Sequence, residues 1–217
     1  MYNVAMEEAI KKIATQFNFS PVIENGEKLK PAESFVLCGM GGSHLSAGLL
    51  KIYNPKIDIY VHRDYGLPLF AEERLSSAMY IASSYSGNTE EVLNFAEAAR
   101  EKGLNIVSVA IGGQLIEWAK KHSLPYIQLP DTGIQPRSAV GFSMIAIAKI
   151  VEGDVAVAEL QKLGTKLSPL KTEEQSRELA EALKDKVPVI YSSRRNLPIA
   201  YNWKIKFNET AKIPAFY

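Results

Sequence analysis

A dense run of hydroxyls, Ser83-Ser84-Tyr85-Ser86-Gly87-Asn88-Thr89, separates an apolar stretch at 79–82 from a helical pattern that opens on Glu90 and Glu91. Such a loop can hold a phosphate without a lysine, because hydroxyls and unpaired backbone N–H groups at a helix start already favour an anion. The same residue types serve ordinary capped loops, so the run alone leaves both readings open. A second candidate, Gly39-Met40-Gly41-Gly42-Ser43, follows another apolar run. Glycines let a backbone approach a ligand, and a hydroxyl both donates and accepts around phosphate oxygens. One small phosphorylated ligand lying across both loops would meet Gly41, Gly42 and Ser43 from one side and Ser84, Ser86 and Thr89 from the other.

The charged candidates are fewer. Arg137 stands beside a helix start, where the dipole disfavours a cation unless something negative lies near; a surface arginine paired with an acid fits its position equally well. Glu209 and Lys212, three apart, read from spacing alone as a helix-surface ion pair. His44 can touch a ligand or serve packing, and Tyr85 reads as a pocket wall. His62 and His122 lack partners at metal-ligand spacing and read as structural, and Arg194-Arg195 as a solvated turn. A dinucleotide fingerprint is disfavoured despite Asp64 past the second strand, because His44 replaces the third glycine of G-x-G-x-x-G. No Walker A pattern occurs.

The elements that must position these residues alternate. Strands are expected at 35–38, 57–61, 79–82, 106–110 and 126–129, with helices at 44–53, from 90 to a stop at Gly103, through Trp118, and from Arg137-Ser138 to about 151. That alternation argues for a parallel sheet covered on both faces, and open parallel sheets bind ligands at the carboxyl ends of their strands. An N-terminal helix is expected to pack through Val4, Ala5, Ile10 and Ile13. Residues 154–186 read as a solvated helical linker. Residues 187–192 read as a further strand, with a helix at 198–208 behind it.

Bulk composition excludes several function classes. The net charge is +1, with 25 Lys and Arg against 24 Asp and Glu, so no long-range field recruits nucleic acid or an anionic membrane. Hydrophobic content of 47% and charged content of 23% suit an ordinary globular chain. No apolar run reaches the ~18 residues of a membrane span. Cys38 is the only cysteine, ends a strand-like run, and reads as a buried inert thiol; a cytoplasmic location is expected.

Gly-Met-Gly-Gly-Ser43, Ser-Tyr-Ser86-Gly-Asn-Thr89, Pro-Arg137-Ser-Ala and Asn-Glu209-Thr-Ala-Lys together resemble the SIS (sugar isomerase) domain proteins. The last two motifs narrow the resemblance to the bifunctional phosphoglucose/phosphomannose isomerases of archaea and bacteria. The resemblance implies an α/β fold, a three-layer α-β-α sandwich on a flavodoxin-like, doubly wound parallel sheet. It implies two such units per chain, a homodimer with active sites at the subunit interface, and no metal or other cofactor. The implied reaction interconverts glucose 6-phosphate or mannose 6-phosphate with fructose 6-phosphate. Ser43, Ser84, Ser86 and Thr89 would bind the phosphate, Gly41 and Gly42 would line the sugar site, Glu209 would move the proton between C1 and C2, and Arg137 would hold the enediolate oxygens.

The resemblance also sets an expected division: a first SIS domain at 1–152, a helical linker at 153–186, and an incomplete second SIS domain at 187–217. In the family the chain continues to a Pro-Glu…His-Asn-Glu segment that opens the sugar ring and, further on, to a lysine. A sequence lacking both is expected to bind sugar phosphate better than it isomerises the closed ring. A non-catalytic SIS module that senses a sugar phosphate is the competing expectation, and Asn208-Glu209 separates the two, since a sensor needs no proton-transferring base.

Overall fold

The computed structural model describes residues 2–217, with side chains from residue 6 onward. Five strands, β1 (Ser34–Cys38), β2 (Asp58–His62), β3 (Met79–Ser83), β4 (Asn105–Ala110) and β5 (Tyr126–Gln128), form one sheet in the order β2-β1-β3-β4-β5. All four pairings are parallel. The helices are α1 (Tyr2–Lys11), α2 (Leu45–Tyr53), α3 (Glu72–Ser77), α4 (Glu90–Glu101), α5 (Gly113–Lys121), α6 (Val140–Glu152), α7 (Asp154–Gln161), α8 (Leu163–Lys166), α9 (Glu173–Ala182) and α10 (Leu197–Lys206). The parallel sheet expected from the alternation, and the doubly wound order that the resemblance implies, are therefore present.

The central strands are apolar runs because both faces are covered. Leu37, Ile81, Val107, Val109 and Ile127 pack with Leu50 of α2, residues 144–148 of α6 and Leu160 of α7. Val36, Cys38, Tyr80, Ala82 and Ile106 face the opposite way, onto Val92, Phe95 and Ala96 of α4 and Leu115 and Ile116 of α5. Each large side chain buried here contributes about 1.5–3 kcal/mol over leaving it in water.

Strand order reverses between β1 and β3, and Cys38 sits beside Ala82 in register. The loops leaving these two strands therefore emerge side by side at the carboxyl edge, at the topological switch point. That placement brings residues 39–43 and 84–89 together.

Several expectations are corrected. Residues 187–192 form no strand: Val189 makes one isolated bridge, to Phe216, through Ile190 N–H to the Phe216 carbonyl (2.9 Å) and Phe216 N–H to the Pro188 carbonyl (3.0 Å). A strand needs a continuous partner, and among the described residues this one has only that bridge, leaving Val187, Val189 and Tyr191 exposed. The helix expected from Arg137 begins at Val140, and Arg137 lies on a separate one-turn 3-10 helix, Pro136–Ser138. On α1 it is Ala9 that is buried while Ile10 faces solvent; the side chains of Val4 and Ala5 lie outside the described residues. The stretch read as a linker is not uniform: α7 buries Ala156, Val157 and Leu160 in the core, whereas α9 has no buried residue.

Candidate active site

The two loops are stitched through one residue. Ser43 is nearly buried; its hydroxyl accepts from the Tyr85 N–H (3.0 Å) and its carbonyl accepts from the Ser83 hydroxyl (3.1 Å). Gly41, with φ of +51°, opens the one-turn 3-10 helix Gly41–His44 that leads into α2.

The hydroxyl loop is internally braced. Ser84 is buried, and its hydroxyl shares a hydrogen bond with that of Thr89 (2.8 Å) while accepting from the Gly87 N–H (3.1 Å). Ser86 points its exposed hydroxyl outward, accepting only a long contact from the Asn88 N–H (3.3 Å). Gly87 takes φ of +74°, and a Cβ there would lie 1.9 Å from the Gly112 carbonyl oxygen, so only glycine lets the loop lie against the start of α5. Asn88 completes that contact by accepting from the Gln114 N–H (3.1 Å). Tyr85, expected as a pocket wall, instead packs into the core beneath the loop.

Arg137 and Glu209 are brought to the same edge from distant parts of the chain. The Arg137 guanidinium stands 3.6 Å from the Glu209 carboxylate, and its Nε donates to the Thr210 hydroxyl (3.1 Å). Glu209 also borders the glycine loop, since a Cβ on Gly41 would lie 3.9 Å from its Oε1. Gly42 packs on the turn carrying Arg137 so closely that a Cβ there would lie 2.7 Å from the Arg137 nitrogen.

The expected Glu209–Lys212 pair is absent from the described ion pairs. Glu209 lies on a π-helical turn, Phe207–Ala211, that ends with Lys212 in the left-handed region (φ 59°), and the wider turn directs the carboxylate to Arg137.

Sequence reasoning missed two side chains here. Lys206, an exposed residue as a whole, turns its ammonium onto the Arg137 carbonyl. Burial lowers its pKa below the ordinary lysine value, the Glu209 charge opposes that shift and the Arg137 charge adds to it. Gln16, buried on the 3-10 helix Ile13–Asn18 that follows α1, donates to the Ser138 carbonyl (2.7 Å) and accepts from the Gly141 N–H (2.9 Å). No periodicity marks either residue.

Burial shifts two further titratable groups near the loops. Burial, with the Arg63 guanidinium adding, pushes the His44 imidazole down to about 4; its ring leans on Tyr201 of α10 at 5.5 Å. Burial, with Glu91 and Asp64 adding, pushes the Cys38 thiol up to about 12. His62 contacts the Tyr65 carbonyl (3.3 Å) and packs on Phe95. Among the described residues no three His, Cys, Asp or Glu side chains cluster as a metal site requires, and no helix is long and apolar enough to cross a membrane.

The chain is similar to several known proteins. A family model of the bacterial phospho-glucose isomerase C-terminal SIS domain matches residues 172–217. The bifunctional phosphoglucose/phosphomannose isomerase of Caldicellulosiruptor bescii is 33% identical, over 95% of this chain and 65% of its own. The D-glucosamine-6-phosphate 4-epimerase of Sulfolobus acidocaldarius is 31% identical, over 87% of this chain and 61% of its own. A crystal structure of tagatose-6-phosphate ketose/aldose isomerase from Escherichia coli superposes with a TM-score of 0.65 at 15% identity, over 97% of this chain and 65% of that one, a likeness of fold. The chain thus spans just under two thirds of the length of the curated relatives it matches. With its four motifs gathered at one sheet edge, the chain belongs to the SIS-domain family of bifunctional phosphoglucose/phosphomannose isomerases.

Proposed function

We propose that this chain carries the catalytic edge of an aldose–ketose isomerase that interconverts glucose 6-phosphate or mannose 6-phosphate with fructose 6-phosphate through an enediolate. The observation that carries the reading is the convergence of Arg137 and Glu209 beside Gly41, next to a hydroxyl loop tied to the same glycine turn. A sensor of sugar phosphate needs the loops but not that pair.

In this reading Ser43, Ser86, Thr89 and the backbone N–H groups around them hold the phosphate, and Ser84 acts by bracing Thr89 and Gly87 from below. Gly41 and Gly42 leave room for the sugar chain. Glu209 removes the proton from C2 of the aldose, or C1 of the ketose, and returns it to the neighbouring carbon; a positioned base contributes about 10²–10⁴-fold. Arg137 faces the two oxygens on which negative charge develops, and a donor of that kind contributes about 10²–10³-fold in kcat. Substrate must separate the Arg137–Glu209 pair, which frees the carboxylate as the base while the guanidinium turns to the sugar oxygens.

We also propose a second SIS unit beginning between residues 172 and 187, a homodimer, and a cytoplasmic place in the glycolytic or gluconeogenic handling of hexose phosphates.

The deciding experiment incubates the protein with fructose 6-phosphate in D2O and follows the hexose phosphates by NMR. Deuterium appearing at C2 of glucose 6-phosphate or mannose 6-phosphate supports the isomerase. A product inverted at C4 with no deuterium at C2, the chemistry named for the epimerase relative, overturns it, as does binding of fructose 6-phosphate without any exchange.

A further inference from the structure

Arg137 does not sit on a regular helix. Its backbone belongs to a single turn, Pro136–Ser138, whose only internal reinforcement is the Ser138 N–H to the Gln135 carbonyl (2.8 Å) and the Ala139 N–H to the Pro136 carbonyl (3.1 Å). A short turn of this kind holds its side chain no better than its surroundings do, and a guanidinium useful in a transition state must be aimed before the charge develops.

Besides the contact of the Ser138 hydroxyl with the Met6 sulfur (3.6 Å), the surroundings grip the turn at three places. Gly42 lies against the Pro136 and Arg137 backbone, and Lys206 donates to the Arg137 carbonyl. The third grip is Gln16, which spends both ends of its amide on this segment: Nε2 on the Ser138 carbonyl and Oε1 on the Gly141 N–H. Gln16 is 3% exposed, and a Cβ on Gly141 would lie 2.8 Å from both its Cβ and its Oε1, so the fit is close. An apolar residue would fill that space; a carboxamide fills it and also fixes a carbonyl on one side of Arg137 and an N–H on the start of α6.

We propose that Gln16 is a positioning residue that sets the aim of Arg137 toward the reacting end of a sugar phosphate. The inference rests on the proposed isomerase reading and adds to it a determinant from outside the four motifs, more than a hundred positions before Arg137 in the chain.

The test compares two ligands by isothermal titration calorimetry. One is a five-carbon aldonate carrying a terminal phosphate, whose carboxylate stands where the enediolate charge would be. The other is glucitol 6-phosphate, with the same phosphate and no charge at the reacting end. Gln16→Met should weaken the aldonate phosphate by about 10–100-fold, the scale of a misplaced charged group, and leave glucitol 6-phosphate within about twofold. In an Arg137→Ala background the same substitution should change neither ligand, because the two act as one unit. Gln16→Glu, which keeps an acceptor for Gly141 and loses the donor to Ser138 when ionised, provides a second variant if Gln16→Met fails to fold, and should lose affinity in the same selective way.

Equal weakening of both ligands would show general damage to the fold and overturn the proposal. So would an unchanged aldonate affinity, or a further loss in the Arg137→Ala background. A wild-type protein that binds glucitol 6-phosphate but does not prefer the aldonate phosphate overturns the role of Arg137 while leaving the phosphate loops standing. One that binds neither ligand overturns the sugar-phosphate reading together with this inference.

Discussion

The guanidinium of Arg137 lies 3.6 Å from the carboxylate of Glu209, and both side chains are partly shielded from water. In the proposed reading this pair, beside the glycine turn and the hydroxyl loop, is the resting arrangement of the two reacting groups.

Replacing Glu209 by Gln removes the base and keeps the shape. Turnover of fructose 6-phosphate is expected to fall by about 10²–10⁴-fold while its calorimetric affinity changes little. Turnover that survives would assign the proton transfer to another group.

The two kinds of serine in the hydroxyl loop are expected to behave differently. Ser86→Ala combined with Thr89→Ala should weaken fructose 6-phosphate by roughly a hundredfold or more, since hydrogen bonds to a charged group are each worth about 1.5–3 kcal/mol, and leave unphosphorylated fructose unaffected. Ser84→Ala should lower stability by about 1 kcal/mol in urea unfolding, because its hydroxyl already serves Thr89 and Gly87. An equal loss for fructose and its phosphate would end the phosphate assignment.

Gly42→Ala tests the contact between the glycine turn and the Arg137 turn. With the new Cβ 2.7 Å from the Arg137 nitrogen and 2.8 Å from the Pro136 carbonyl carbon, one backbone must move. Overpacking of that kind costs about 1–3 kcal/mol, readable as a lower urea midpoint with an unchanged slope. An unaltered midpoint would mean the two turns are not in contact in solution.

His44 makes stability depend on pH. Its folded pKa, about 4, lies below the unfolded value of 6.5, so the unfolded chain binds the proton first. The stability is intact above pH 6.5 and is lost as pH falls toward 4, by up to about 3 kcal/mol. Carboxylates titrate in part of the same range, so the measurement is a difference: His44→Gln should lose less stability than the parent between about pH 7 and about pH 4.5. Parallel losses would place His44 in water.

The strands and both loops were legible because a sheet covered on two faces leaves short apolar runs, and because Gly39–Ser43 and Ser83–Thr89 break those runs with residues that few other settings favour. Which loops meet was not legible, since it follows from the order reversal between β1 and β3. Residues 187–192 misled because an apolar run records a preference for burial and says nothing of whether a partner strand is there. Glu209 and Lys212 misled for a different reason, as the spacing rule assumes an α-helical turn and the chain makes a π turn. Gln16 left no trace in any pattern, because its two hydrogen bonds reach across more than a hundred residues to backbone atoms.

The π turn at Phe207–Ala211 limits how this stretch can vary. It holds one residue more than an α-helical turn would, and each residue advances a helix by about 100°. Deleting Phe207 would shorten the turn and shift the residues after it, moving Thr210 relative to Arg137 and the Ala215 N–H relative to the Asn208 side chain that now accepts it at 2.9 Å. A substitution keeps the length of this segment, whereas a deletion moves Asn208, Glu209 and Thr210 relative to their partners.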